Sequence, residues 1–421
     1  MIARDMAVAV APIHESPLAR SVRWALAVTV ASMPLYVVRW RVGPFPTTLL
    51  ENLILLTVVL YLVAVWRRAA PLPNRTPYEI PIGLFLLAGM IGVFIAPDHR
   101  GALGIYRAYL LEPIAIYYVA IAVLRTTESI RSLLAAWGIG AALFAIVEIG
   151  TFLSALQGST LKIGHAAAAF GINPNSVAIF LEPLIGLAAG FALFGRGRQR
   201  VIGIGVLSLL VAAEVATLSR TGLLALAALA VIALLTIRSI VFRLGLVAAS
   251  AVGALVLWQV RVVRLRITYL LTEPAHTLYG RQHIWATTLR MLSDRPIFGA
   301  GINAYQSTMA PYRAADTYQV AEPYAHNLVL TTWSELGLLG LAAFVYLVAA
   351  FVVRPWRALA TASGLYSPLL WGLGTAFVMI AVHGLVDSPY WKNDLSLEFW
   401  VLAALEVVAL RAASAEAVHH D

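Results

Sequence analysis

Six residues in the C-terminal half of the chain have side chains suited to binding an anion or moving a proton: Arg220, Arg281, His326, Asn327, His383 and Asp387. His326 stands beside Asn327 at the head of an apolar run. An imidazole at the boundary between water and low-dielectric surroundings has a pKa that is readily tuned toward neutrality, which suits it to abstract a proton. Its structural alternative is an interfacial helix-capping residue. Glu335 lies nine residues further on, about 13 Å deeper along a helix. It reads as a hydrogen-bonding partner rather than a second catalytic group.

Arg220 follows Thr217-Leu218-Ser219 in a very short turn between two apolar runs, and Arg281 follows Tyr279-Gly280. Two guanidinium groups converging on one site suit a diphosphate, because each planar fork bonds phosphoryl oxygens bidentately. A single arginine equally well snorkels to lipid phosphate. His383 and Asp387 are four apart, a spacing that allows a hydrogen bond across one helical turn. Asp387 is placed to orient His383 or His326, to bind a sugar hydroxyl, or to cap structure ahead of Pro389.

The elements that must position these residues are membrane spans. The chain is 61% hydrophobic and 12% charged with a mean hydropathy of +0.83, far from soluble globular domains. Apolar stretches long enough to cross a bilayer core of about 30 Å recur along its length. Backbone amides in hydrocarbon must pair within their own segment, and the alternation of a barrel is absent, so the spans read as helices. Twelve are expected, near 22–39, 46–66, 79–97, 107–124, 131–155, 177–195, 201–219, 221–237, 242–260, 327–353, 367–386 and 397–411. The fold class is an all-α polytopic membrane protein, divided into spans 1–9 (1–260), a long loop (261–325), and spans 10–12 with a tail (326–421).

Short connections rich in arginine alternate with poorer ones. Arg20/Arg23, Arg67/Arg68/Arg75, Arg125/Arg131, Arg196/Arg198/Arg200, Arg238/Arg243 and Arg354/Arg357 fall on one side. The positive-inside rule puts that side, and both termini, in the cytoplasm. The first residues contain Asp5, His14 and Glu15 and show no cleavable leader. The loop from 261 to 325 then lies outside with seven arginines (261, 264, 266, 281, 290, 295 and 313), which long loops tolerate. Against Glu273, Asp294, Asp316 and Glu322 it nets 7 − 4 = +3.

Within that loop Ile284, Trp285, Thr288, Leu289 and Leu292 recur at helical spacing, Asp294-Arg295-Pro296 ends the helix, and Gly299-Ala300-Gly301 turns the chain. The result is an interfacial helix or a packed amphipathic cap.

The net charge of +9 would suggest nucleic acid in a soluble protein. Here it points instead to cytoplasmic arginines with anionic lipid or substrate. With no cysteine there is no thiolate metal site. No Asp-x-Asp or Glu-x-Asp pair at an outer loop, no P-loop, no His-Glu-x-x-His and no Gly-x-Ser-x-Gly occurs, so ATP-driven transport and metal-first glycosyl transfer lose weight. Buried acids (Glu51, Glu112, Glu148, Glu182, Glu214) invite a proton relay or serve local structure, and Glu112 and Glu182 each precede a proline in Leu-Glu-Pro.

Four groups of residues, in order, resemble the O-antigen ligase/polymerase superfamily of bacterial inner-membrane glycosyltransferases. They are Phe170-Gly171-Ile172-Asn173-Pro174-Asn175; Thr217-Leu218-Ser219-Arg220-Thr221-Gly222; Gly280-Arg281-Gln282-His283-Ile284-Trp285 with Pro296-Ile297-Phe298-Gly299-Ala300-Gly301; and His326-Asn327 with Glu335-Leu336-Gly337-Leu338-Leu339-Gly340. His383 to Pro389 resembles the closing motif of that family.

Twelve spans and one large periplasmic loop are most similar to the ligase branch, with a GT-C-like fold. The resemblance implies transfer of a glycan from undecaprenyl diphosphate to a lipid A–core sugar, with inversion and without metal or other cofactor. Arg220 and Arg281 would then grip the diphosphate and His326 would take the acceptor proton. Asn327, His383 and Asp387 would line the substrate site. The partners implied are the lipid-linked donor, lipid A–core and membrane lipids, with no nucleic acid. A polysaccharide polymerase, a protein O-oligosaccharyltransferase and a transporter of lipid-linked sugar or a small anion are the alternatives. A transporter would show related halves with broken helices at mid-bilayer, and no convincing repeat is visible.

Overall fold

A computed structural model describes residues 16–43, 45–157, 168–261, 263–265, 268, 275–313 and 322–418. Arg266, Glu273, Asp316 and the N-terminal Asp5, His14 and Glu15 lie outside these residues. The described chain is helical apart from one small hairpin and connecting turns. A helix stands at each of the twelve expected places. Among the described residues seven are long and apolar enough to cross a membrane. These are α2 (Leu49–Trp66), α4 (His99–Val123), α5 (Thr127–Gln157), α6 (Pro174–Phe194), α7 (Arg198–Ala216), α12 (Leu328–Ala358) and α13 (Tyr366–His383). Shorter apolar helices are α3 (Glu79–Ile95), α8 (Arg220–Thr236) and α9 (Ile240–Gln259).

The first span differs most from expectation. α1 (Pro17–Ala31) stops early, and Pro34 opens a 3₁₀ turn over Met33–Val37. The chain then enters an antiparallel hairpin, β1 (Arg39–Val42) and β2 (Phe45–Thr48), with Arg39 opposite Thr48. These strands take residues that the sequence assigned to the ends of two spans. The reason is local. Thr48 accepts the Glu51 N–H while Glu51 reaches back to the Thr48 N–H, and this capping box fixes the start of α2.

α14 (Asn393–Val418) is enclosed on all sides from Leu395 to Ala409, and α4, α12 and α13 pack around it. Buried on every side, its Glu398 and Glu406 included, this helix supplies the centre of the bundle. Phe399 and Trp400 lie edge-on to Tyr390 and Tyr117 respectively, and the Tyr78 hydroxyl donates to Glu406 Oε1 at 3.0 Å. Pro113 cannot donate to the carbonyl of Tyr109, and a π-turn over Arg107–Leu111 precedes it. The Tyr390 hydroxyl donates to that Tyr109 carbonyl at 2.8 Å. The proline therefore costs α4 a bond that a neighbouring side chain restores.

The long α12 was expected as one continuous span and is broken at Gly337, where φ is 68° and ψ is −171°. The loop after α10 (Ala275–Asp294) enters this break. Leu338 donates its N–H to Ile297 O at 2.8 Å, Ala300 N–H to Ser334 O at 2.7 Å, and Asn303 N–H to Glu335 Oε2 at 2.6 Å. Glu335 is thus the hydrogen-bonding partner the sequence suggested. A Cβ at Gly337 would sit 2.3 Å from Ile297 O, in a backbone region open essentially to glycine alone. Gly337→Ala is expected to cost about 1–3 kcal/mol from strain alone. A lowered midpoint for thermal loss of monodisperse protein would register it, and an unchanged midpoint would contradict the docking argument.

α10 buries Ile284, Thr288, Met291 and Leu292 and leaves Leu289 exposed. It packs on α12 and on α11 (Tyr305–Met309), with the Thr288 and Tyr305 hydroxyls 2.7 Å apart. The packed amphipathic cap describes it.

Candidate active site

Asp387 is the hub. One turn beyond α13, its Oδ1 faces His326 Nδ1 at 3.1 Å and accepts the Ser388 N–H at 2.9 Å. Its Oδ2 accepts from Arg281 Nη2 at 3.5 Å. On the far side of the imidazole, His326 Nε2 faces Glu322 Oε2 at 3.1 Å. The result is a chain Arg281–Asp387–His326–Glu322 drawn from α10, the turn after α13, and the segment entering α12. The two arms of the carboxylate serve different partners, so one aspartate fixes a guanidinium and an imidazole relative to each other.

Local structure explains the placement. Asn327 caps α12 by accepting the Leu330 N–H at 3.0 Å, and its amide donates to Leu385 O at 2.8 Å. Leu328 N–H donates to Gly384 O at 2.7 Å, and the Thr331 and Ser388 hydroxyls are 2.8 Å apart. The start of α12 is thereby stapled to the turn carrying Asp387. His326 itself has φ of 49°, a left-handed conformation uncommon outside glycine. Trp285 from α10 donates its indole N–H to the His326 carbonyl at 3.3 Å, which ties the third element in.

The electrostatics follow from this geometry. Burial lowers the pKa of His326, but the hydrogen bond and charge of Asp387, then those of Glu322, outweigh it and move it above 6.5. Burial raises the pKa of Asp387. The His326 hydrogen bond and charge, with His383 and Arg281, reverse that and leave it below its ordinary range. With a carboxylate on each nitrogen, both ring N–H groups have acceptors and the imidazolium is the favoured form. The chemistry available is anion binding by Arg281 and proton exchange at His326 Nε2.

The other expected residues make different contacts. His383 is fully buried and turns into the bundle, its Nδ1 2.6 Å from Glu182 Oε1. The one-turn spacing to Asp387 is expressed in the backbone, where Asp387 N–H donates to His383 O at 3.0 Å. Asn327 serves as the helix cap just described. Arg220 opens α8, whose cap Ser219 donates to Asn175 Oδ1 at 2.9 Å, with Leu218 at φ 54° making the tight turn. Two groups were under-read in sequence. Glu322 entered only as a charge, although it lies four residues before His326, and Trp285 entered only as part of an apolar stripe.

Three of the buried acids, Glu51, Glu112 and Glu148, make local structural contacts. Glu51 caps α2, bonds Arg107 Nη2 at 3.3 Å and accepts from Asn393 at 2.9 Å. Glu112 pairs with Arg107 Nη1 at 3.1 Å, and Glu148 accepts the Ala169 N–H at 2.6 Å.

Among the described residues, a helical bundle with seven helices of membrane length carries a guanidinium–carboxylate–imidazole chain, which marks an all-α membrane protein with a candidate site at Asp387. The model of the O-antigen ligase family matches residues 204–345, so that segment of the chain is similar to the O-antigen ligase family. Arg220, Arg281, Glu322 and His326 fall inside the match, and Asp387 lies beyond it. Curated proteins yield no match to the chain.

Proposed function

We propose that this chain transfers a glycan from undecaprenyl diphosphate to a sugar hydroxyl of lipid A–core at the periplasmic face of the bacterial inner membrane. The observation that supports it best is the Asp387 bridge, which holds a phosphate-binding group and a proton acceptor a few ångströms apart inside and beside the family segment. In this reading the acceptor oxygen attacks the anomeric carbon from the face opposite the diphosphate. The carbon–oxygen bond to phosphate breaks with its electrons, giving inversion. Arg281, joined by Arg220, neutralises the departing diphosphate. Asp387 fixes Nδ1 of His326 as the N–H nitrogen, so Nε2 is the reacting one. With Nε2 unprotonated, the neutral ring receives the hydroxyl proton, and Glu322 accepts a hydrogen bond from the Nε2–H so formed.

Because the donor carries its own leaving group, the reaction needs charge neutralisation and one base. The proposal therefore includes metal independence. Purified protein in lipid nanodiscs with undecaprenyl-diphosphate glycan and lipid A–core is expected to form conjugate in EDTA. Loss of product on chelation would overturn the metal-free step. Extension of the glycan with none reaching lipid A–core would make the protein a polymerase.

The pH dependence has a definite sign. His326 acts as base only when unprotonated, and its pKa is raised, so the acid limb of the rate profile is expected above 6.5. Glu322→Gln removes one of the two carboxylates that raise it, and the limb is expected to move to lower pH. Initial rates across about pH 5–8 would measure this. A limb that stays where it is in the variant would remove Glu322 from the proton path.

A further inference from the structure

A second feature lies at the other end of α6. A pocket of about 900 Å³ opens between α5, α6 and α7, walled by apolar side chains including Leu184, Phe191 and Val206. Its rim carries three exposed arginines, Arg131, Arg196 and Arg198, and no carboxylate is among its described lining residues. Trp137 also lines it. This indole is 1% exposed, and its N–H has no hydrogen-bond partner among the described residues. A buried donor left without an acceptor is destabilising, so an acceptor supplied by a ligand is favoured here.

The arginine rim of the pocket lies away from the Asp387 cluster. The Glu182–His383 pair marks that cluster on α6, and Phe194, at the helix end beside the arginine rim, is 194 − 182 = 12 residues further on. At 1.5 Å per residue this is about 18 Å. A diphosphate held by Arg281 therefore does not reach the rim.

We infer that this pocket binds one anionic phospholipid. Its phosphate sits among Arg131, Arg196 and Arg198, an ester carbonyl accepts from Trp137, and an acyl chain lies along the apolar wall. Charge complementarity selects the anionic headgroup, since guanidinium groups bond phosphate oxygens bidentately and no acid opposes them. The apolar wall selects a lipid over a free phosphate. The inference does not depend on the transferase reading.

Gly138 provides a direct test. It lines the pocket, and a Cβ there meets nothing within 4 Å. Leucine at that position starts from a Cβ with open space around it and narrows the pocket, and it is a better helix former than glycine. Gly150, in the same helix and equally open, is not part of the lining and serves as the control. Native mass spectrometry of delipidated full-length protein, titrated separately with dioleoylphosphatidylglycerol and dioleoylphosphatidylcholine, would count retained lipids. One phosphatidylglycerol is expected to be held in preference to phosphatidylcholine.

The Arg131→Gln/Arg196→Gln/Arg198→Gln variant is expected to cut that preference about tenfold or more. Gly138→Leu is expected to abolish retention, with Gly150→Leu behaving as the native chain. Equal retention of the two lipids by native protein, or native retention by Gly138→Leu, would overturn the site. Equal loss in both glycine variants would overturn it as well.

Discussion

His326→Ala is expected to lower the rate of conjugate formation by roughly 10²–10⁴-fold, the usual contribution of a positioned general base. The residue is not a free-standing imidazole. Asp387 and Glu322 hold its two nitrogens at 3.1 Å each, and Trp285 holds its carbonyl. Removing the ring leaves the donor-binding arginines in place, so donor affinity is expected to change little while turnover collapses. Single-turnover rates at saturating donor, with donor binding measured separately, would show the split. A variant that transfers glycan at the native rate would end the assignment of His326 as base.

Arg281→Ala is expected to cost roughly 10²–10³-fold, the scale for loss of one donor to developing charge. Here the loss is expected in both kinetic constants, because in the proposed function the same guanidinium holds the ground-state diphosphate. Arg281→Lys keeps the charge without the planar fork and is expected to recover only part of the rate. Asp387 would lose one of its partners in either variant. Thermal stability should therefore be followed alongside rate, since the Arg281 and Asp387 side chains are only 21% and 13% exposed. Full activity in Arg281→Ala would leave the diphosphate without this partner and would refute the site as drawn.

The sequence made some of this site legible and hid the rest for identifiable reasons. His326 and Arg281 were readable because each breaks a local pattern, one opening a span and one standing off an apolar stripe. The pairing of Asp387 was not. The sequence left Asp387 a choice between His383, four residues away, and His326; the helix ends at His383 and the carboxylate crosses to His326. His383 found Glu182, a residue 201 positions away, and no spacing rule reaches that far. Glu322 was overlooked because its four-residue spacing to His326 falls outside any helix, where that spacing carries no expectation.

The spans show the same division. Apolar length placed a helix at each of the twelve expected spans, because bilayer thickness and backbone pairing leave few options. It misjudged the end of α1, where Pro34 and the capping box at Thr48 hand the chain to a hairpin. It also missed the break at Gly337, since one glycine in an apolar run gives no sign that a distant loop will dock there.

By itself, then, the sequence determined the helical class, the positions of the helices and the reagents concentrated near one loop. Those properties follow from composition and local periodicity, which act residue by residue. Only the tertiary structure decided that Asp387 would join Arg281 to His326 while His383 turned inward. Such pairings depend on which helix ends are stapled together, and packing between distant segments sets that choice.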